Sequence, residues 1–326
     1  MQELAFEAED IGVTTVDGTE IVAGVDLAAA SGELVGLLGE TGAGKSVTAR
    51  AMLGLLPRGL RATGRIRFGD GQWISLEQGK GIARHLGRTV GLMLQNPRGA
   101  FDPVKRIGPQ LIEAVVRNKM MTKHEAEQRA MQLCEYLGLG DGQSVLRLYP
   151  HELSGGMSQR AALVMTLMPR PKLLVVDEPT SALDANLRVE ALRLLNSIAR
   201  ESGTAMVVIS HDLGLVSHFC DSIAVLYAGH LVEKGNTREV LTMPNHPYTR
   251  SLIGCSLRIS AGNRTILPTV AGEPPLPGPW PLGCDVHPRC PNADDLCHVE
   301  RPLFRTDTGR GVACHFPLQE EKACTQ

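Results

Sequence analysis

The sequence predicts an α/β domain carrying an inserted helical subdomain and a C-terminal extension, and three observations lead there. The runs Leu173–Val176 and Met206–Ile209 are unbroken apolar stretches, as parallel strands covered on both faces require. A third run, Leu34–Leu38, passes at once into the glycine-rich segment Gly39–Ser46 and then into a helical pattern. After about Gly235 the composition turns towards proline and cysteine, which marks the extension.

Residues 11–25 alternate about Asp17-Gly18, the pattern of a hairpin with a two-residue turn. The helix after the glycine-rich segment is expected to run through about Leu56, with Pro57 and Gly59 ending it. Strand-like, turn-rich sequence follows to about Leu94. A helical stretch then spans about Pro109 to Gly138, with Thr122 and Glu125 as a capping box and Gly138 as its C-terminal cap. Another helix is expected from Ser154 to about Met168. Ile223–Tyr227 and Leu231–Glu233, joined across Ala228-Gly229-His230, read as a closing hairpin. Pro268, Pro274, Pro275, Pro277, Pro279 and Pro281 make residues 268–283 an extended arm. The expected division is a first domain over 1–240, with the helical subdomain at about 96–168, and an extension over 241–326.

A chain of 326 residues accommodates one large domain and a smaller appendage. Its 43% hydrophobic and 21% charged residues can bury an ordinary globular core. A net charge of −2 supplies no basic face for nucleic acid. No run approaches the roughly 18 apolar residues of a membrane span. Glu3, Glu7, Glu9 and Asp10 are the wrong chemistry for a signal peptide, so a cytosolic address is expected. Cys134, Cys220 and Cys255 are scattered and read as small buried hydrophobes. Cys284, Cys290, Cys297 and Cys314 are clustered and need a separate explanation.

Gly39-Glu40-Thr41-Gly42-Ala43-Gly44-Lys45-Ser46, continuing into Val47, is a complete phosphate-binding loop between a strand and a helix. Its glycines let backbone N–H groups wrap phosphates, and the helix N-terminus adds partial positive charge. Lys45 is the candidate for the β- and γ-phosphates and Ser46 for Mg²⁺. An ordinary glycine-rich turn would not match all eight positions in this context. Leu173–Val176 then delivers Asp177 to the Mg²⁺ sphere and Glu178 to the attacking water.

With these residues in place the chain resembles the ABC transporter ATPases. Leu153-Ser154-Gly155-Gly156-Met157, with Gln159-Arg160, is similar to that family's signature motif. Gln95 resembles its Q-loop glutamine, Ser181-Ala182-Leu183-Asp184 its D-loop, and His211 its switch histidine. The resemblance covers roughly residues 5–240 and implies a P-loop NTPase fold with a RecA-like α/β core, an antiparallel β subdomain and an inserted α-helical subdomain. It implies ATP and Mg²⁺ as ligands, with Ser46, Gln95 and Asp177 at the ion. It places Ser154, Gly155 and Gly156 against the γ-phosphate held by an opposite subunit, and Glu178, His211 and Gln95 in catalysis. His85, His124, His218 and His230 are read as structural. Two departures stand out. Phe6 is the only aromatic before the phosphate loop, where the family stacks adenine, so either the stacking is weak or Phe6 supplies it, and Met157 replaces the commoner glutamine.

Gln95-Asn96-Pro97, Phe101-Asp102-Pro103 and His246–Leu252 resemble the dipeptide/oligopeptide and nickel importer group of that family. Gly283-Cys284 with His287-Pro288-Arg289-Cys290-Pro291 and the downstream Cys297 and Cys314 resembles the C-terminal extension of peptide importer ATPases. The resemblance implies the ATPase of a peptide importer, at the cytoplasmic face of the inner membrane. Its implied partners are a paralogous ATPase subunit, two transmembrane permeases and an extracytoplasmic peptide-binding protein, with no nucleic acid and no membrane contact except through the permeases. A nickel or metal-chelate importer is the main rival. A soluble ABC ATPase is the more distant one, since such families generally carry two cassettes or a coiled-coil insertion.

The clustered cysteines are separated by five, six and sixteen residues in a proline-rich segment too short to build much core. A [4Fe–4S] cluster held by four thiolates is the expectation, and the resemblance points the same way. Zn²⁺ is the alternative, and four unliganded thiols the remaining one.

Overall fold

The computed structural model describes residues 3–77, 80–93, 97–178, 185–256, 272–278, 280–307 and 309–318. In chain order the strands are β1 (Leu4–Thr15), β2 (Glu20–Ala30), β3 (Leu34–Leu38), β4 (Leu60–Phe68), β5 (Ile74–Ser75), β6 (Val90–Met93), β7 (Leu173–Asp177), β8 (Ala205–Ile209), β9 (Ser222–Tyr227), β10 (His230–Asn236), β11 (Arg305–Asp307) and β12 (Arg310–Val312). The helices are α1 (Lys45–Met52), α2 (Lys80–Ala83), α3 (Ile107–Arg117), α4 (Lys123–Tyr136), α5 (Gly142–Val145), α6 (Gly155–Leu167), α7 (Ala185–Ser202), α8 (Leu213–Phe219), α9 (Thr237–Thr242), α10 (Pro247–Ser256) and α11 (Asp295–Val299).

The strands form two sheets, a four-stranded one in the order β2-β1-β4-β5 and an eight-stranded one in the order β11-β12-β10-β9-β3-β8-β7-β6. β3 runs parallel to β8 and β9, and β7 parallel to β6 and β8. Strand alternation divides the apolar runs between two cores. Leu34, Leu174, Val176, Met206 and Val208 face one cluster with α3, α4, α6 and α8. Val35, Leu37, Leu173, Val175, Val207 and Ile209 face the other, with α1 and the antiparallel sheet. This double coverage is why those strands read as continuous apolar runs.

Local chemistry sets the boundaries. Thr122 caps α4 in a capping box, its hydroxyl accepting from Glu125 N and its own N–H donating 2.8 Å to Glu125 Oε2. Ser154 Oγ accepts from Met157 N at 3.3 Å and opens α6, as the sequence predicts. The helical stretch before it is divided into α3 and α4, the second opening at the Thr122 cap. α1 stops at Met52, earlier than expected. Gly54 takes φ 66, its N–H donates to Ala51 O, and Leu55 N donates to Arg50 O. That is a Schellman stop, so Pro57 and Gly59 lie beyond a helix already ended. The first hairpin also differs, because Thr15 N donates to Thr19 O and leaves a three-residue turn over 16–18. The β9–β10 hairpin forms, but its turn is Ala228 and Gly229 alone, because His230 already pairs with Tyr227.

The extension adds β12 to the edge of the main sheet through β10. Glu233 on β10 is wholly buried. It accepts hydrogen bonds from Asn245 N at 2.7 Å, His246 N at 3.0 Å and the Arg310 guanidinium at 2.9 Å. His246, also buried, accepts from Tyr248 N at Nδ1 over 3.0 Å. Burial pulls its pKa from 6.5 down to about 4, because a charged ring there would lose its water and the Tyr248 bond together. Below its unfolded pKa the unfolded chain binds the proton that the folded chain refuses. Unfolding free energy is therefore expected to fall as pH drops from 6.5 towards 4, by about 3 kcal/mol from this group. Denaturant titrations across that range should show a shallower slope for His246→Gln.

Candidate functional site

The phosphate-type loop leaves the C-terminal end of β3 and enters α1. At Gly39, with φ 147, a Cβ would lie 2.3 Å from Leu226 O, so no side chain fits there. Around Gly42 a Cβ would meet nothing within 4 Å, which leaves the mouth of the loop open. Gly44 sits at the N-cap of α1 without a side-chain cap, and the first turn holds no acidic residue. The first N–H groups of α1 are thus available to an anion. Thr41 and Gly42 are exposed, Ala43 and Gly44 are buried, and Val47 is half-buried in α1.

Lys45 is 8% exposed and donates to Gly39 O at 2.7 Å and Glu40 O at 2.9 Å. Burial lowers its pKa, and the negative charges of Glu178, Asp177 and Glu40 oppose that fall. Ser46 Oγ donates to Asp177 Oδ1 over 3.1 Å, bringing the ends of α1 and β7 together. Burial raises the Asp177 pKa, with the Ser46 bond acting against it. Glu178 follows with φ 46, a left-handed backbone that a non-glycine residue adopts only under constraint. Its N–H donates to Ile209 O, and its Oε1 lies 2.8 Å from His211 Nδ1. Lys45, Ser46, Asp177, Glu178 and His211, far apart in sequence, therefore gather at one end of the sheet.

Ser154, Gly155 and Gly156 are elsewhere, at the N-terminus of α6, which packs on α3 and α4. Ser154 and Gly155 are exposed, and a Cβ on Gly156 would meet nothing within 4 Å. Gln95 and the segment 181–184 lie outside the described residues. Phe6 is wholly buried between β1 and its neighbours, so it is core and not a stacking surface.

The cysteine expectation is corrected. Among the described residues no group of three or more His, Cys, Asp or Glu side chains is arranged to hold a metal ion, so neither an iron–sulfur cluster nor zinc has support. Cys284 and Cys297 are buried in the apolar cluster and Cys290 packs partly against it. Burial pushes the Cys284 and Cys314 thiols up to about 11 and raises that of Cys290. Burial thus favours the neutral thiol at Cys284, Cys290 and Cys314, and Cys284, Cys297 and Cys290 serve as packing groups. Polar bonds hold the segment instead, with Asp285 3.0 Å from both Arg301 and His230.

Sequence reading missed what surrounds Glu40. Its N–H donates to the Tyr248 hydroxyl at 3.1 Å, and Arg289 pairs with its carboxylate at 2.6 and 3.1 Å. Both residues stood in recognisable motifs, but no spacing rule connects positions 249 residues apart with the loop.

The chain is similar to known proteins over most of its length. Residues 22–181 match the ABC transporter family, and residues 232–297 match the oligopeptide/dipeptide transporter C-terminal region. The oligopeptide transport ATP-binding protein OppD of Escherichia coli is 37% identical over 317 residues, 97% of this chain and 92% of that protein. The dipeptide transport ATP-binding protein DppD of Haemophilus influenzae is 36% identical, across 90% of this chain and 88% of its own. Among solved structures, cbiO1 from Clostridium perfringens, part of the ABC transporter complex cbiONQ, aligns with TM-score 0.63 at 27% identity over 74% of this chain and 92% of that one. MJ1267, an ATP-binding cassette of an ABC transporter in its ADP conformation, shares the fold at TM-score 0.59 and 21% identity, over 76% of this chain and 98% of that one.

The backbone at position 178 yields a direct test. Glycine accepts a left-handed φ without penalty. Glu178→Gly is expected to raise the unfolding free energy by about 1 kcal/mol, against the loss a new glycine ordinarily brings. Denaturant unfolding of the two chains measures it, and a marked destabilisation would mean that the backbone there is not strained.

Proposed function

This chain belongs to the ABC transporter ATPases, in the branch of the oligopeptide and dipeptide transport ATP-binding proteins, and from that membership we propose that it is the ATP-hydrolysing subunit of a peptide importer. The observation that carries the mechanism is the pairing of Ser46 with Asp177 at 3.1 Å beneath an uncapped helix N-terminus. The peptide-transport names of its relatives favour a peptide cargo over nickel and over a soluble, non-transport ATPase.

In this reading Gly39, Glu40, Thr41, Gly42, Ala43, Gly44, Lys45, Ser46 and Val47 form the phosphate site. Backbone N–H groups of the loop and of α1 bind phosphate oxygens. Lys45 keeps two of its three N–H donors on the Gly39 and Glu40 carbonyls and turns the third to the β- and γ-phosphates. The Ser46 hydroxyl and the Asp177 carboxylate are hard oxygen donors suited to Mg²⁺, with Gln95 as a third. The ion, when bound, neutralises charge on the transferred phosphoryl group. Glu178 accepts the proton of the attacking water, with His211 orienting its carboxylate. We assign His211 a second task, contact with the γ-phosphate in exchange for the Glu178 bond.

The exposed N-terminus at Ser154, Gly155 and Gly156 supports a two-chain site, in which it faces the nucleotide of a paralogous ATPase subunit. Two permeases and an extracytoplasmic peptide-binding protein complete the proposed importer. The ATPase unit is assigned to residues 1–240 and the extension to 241–326. Among the described residues no helix is long and apolar enough to cross a membrane. From the family membership we place the chain at the cytoplasmic face of the inner membrane, in contact with it through the permeases.

Glu178→Gln is expected to bind ATP normally while turnover falls about 10²–10⁴-fold, the usual loss with a general base. Lys45→Ala should weaken nucleotide binding itself. Equilibrium binding and steady-state hydrolysis separate the two, and near-normal turnover in Glu178→Gln would remove that residue from catalysis. The purified chain alone should hydrolyse ATP slowly, and adding its paralogue and permeases should raise the rate. Equal rates with and without them would argue against the two-chain site.

A further inference from the structure

We propose that Arg289, carried by the C-terminal extension, is a positioning residue for the phosphate loop. It holds Glu40, and through Glu40 the Lys45 ammonium, in the geometry that receives nucleotide phosphates. This rests on the reading of Gly39–Ser46 as the ATP site and adds to it a part supplied from outside the ATPase unit.

All three polar groups of Glu40 are committed. Its carboxylate accepts two hydrogen bonds from Arg289, Nη1 to Oε2 at 2.6 Å and Nη2 to Oε1 at 3.1 Å. Its N–H donates to the Tyr248 hydroxyl. Its carbonyl accepts from Lys45 at 2.9 Å. A shift of Glu40 therefore moves the oxygen that orients the ammonium.

Arg289 is itself constrained. Its side chain is 4% exposed, and Nη1 also donates to the Tyr227 hydroxyl at 3.3 Å. Tyr227 and Tyr248 pack edge to face at 4.6 Å between centroids, forming a wall behind the pair. Burial raises both phenol pKa values and keeps them neutral. The turn His287–Arg289 that carries the guanidinium is fixed by His287 N donating to Cys284 O at 3.0 Å. A planar guanidinium matches a carboxylate through two parallel bonds, which an ammonium does not reproduce. Taking this fork out of water without a partner is unfavourable, so the extension seats fully only when Glu40 meets it. The pair thus makes the loop's geometry depend on the extension.

The test is MgATP binding to the full-length chain with Arg289→Gln, Glu40→Gln, the double variant and Arg289→Lys. Each single glutamine variant is expected to weaken binding about 10-fold, the scale of a hydrogen bond to a charged group. The double variant should be no weaker than either single one, because both remove the same contact. Arg289→Lys should recover only part of the affinity. In steady state the KM for ATP should rise while kcat holds, the pattern of lost uniform binding. Unchanged affinity in both Arg289→Gln and Glu40→Gln, beside a wild type that binds MgATP, would overturn the proposal and leave the ATP site standing. Additive losses in the double variant would also overturn it, since the two residues would then act separately. If Arg289→Gln does not fold, Glu40→Gln decides from the loop side, and normal affinity there counts against the proposal. A wild type that binds no MgATP, or binds it no better than Lys45→Ala, would instead bring down the ATP reading and the proposal with it.

Discussion

Lys45 carries an ammonium into a place with almost no water, at 8% exposure. A buried charge of this kind must be hydrogen-bonded or paired. The carbonyls of Gly39 and Glu40 meet it directly, and the carboxylates of Glu40, Asp177 and Glu178 balance its charge. Meeting that requirement constrains much of the molecule. β3 must end where the loop can curl back over α1, and β7 must end near enough for Asp177 to reach Ser46. The order β9-β3-β8-β7 places β7 one strand away from β3, close enough for that bond.

The extension is part of the same arrangement. Its hairpin completes the sheet through β10 and β12, and a buried carboxylate, Glu233, ties it to Asn245, His246 and Arg310. His246 places Tyr248, and Tyr248 with Arg289 reaches Glu40 in the loop. Stability that the sequence reading assigned to a metal is supplied by packing and by ion pairs such as Asp285 with Arg301. Burial makes the thiols of Cys284, Cys290 and Cys314 poor anions, and Cys284 and Cys297 fill apolar space.

The parallel strands were legible because both of their faces are covered, so that every position had to be apolar. The caps at Thr122 and Ser154 were legible because a side chain three residues from its partner N–H needs only local geometry. Gly54 was passed over in favour of Pro57 and Gly59, although a left-handed glycine had already closed α1 by bonding to Ala51 and Arg50. The first hairpin turn was misjudged by one residue, because Thr15 bonds to Thr19 and the turn type depends on that pairing. Phe6 drew a functional expectation as the only aromatic before the loop, yet strand alternation turns it into the core.

By itself the sequence determined the apolar parallel strands, the glycine-rich turn into α1 and the acidic end of β7, because each depends on neighbours within a few residues. Only the tertiary structure decided which distant groups meet. It brought His211 to Glu178 and seated Arg289 on Glu40. It also placed Cys284 and Cys297 in the apolar core, with Cys290 packed against it. The reason is physical: hydrogen bonds within a turn follow from local backbone angles, whereas the partner of a buried charge is chosen by how whole sheets and segments pack, which no local spacing encodes.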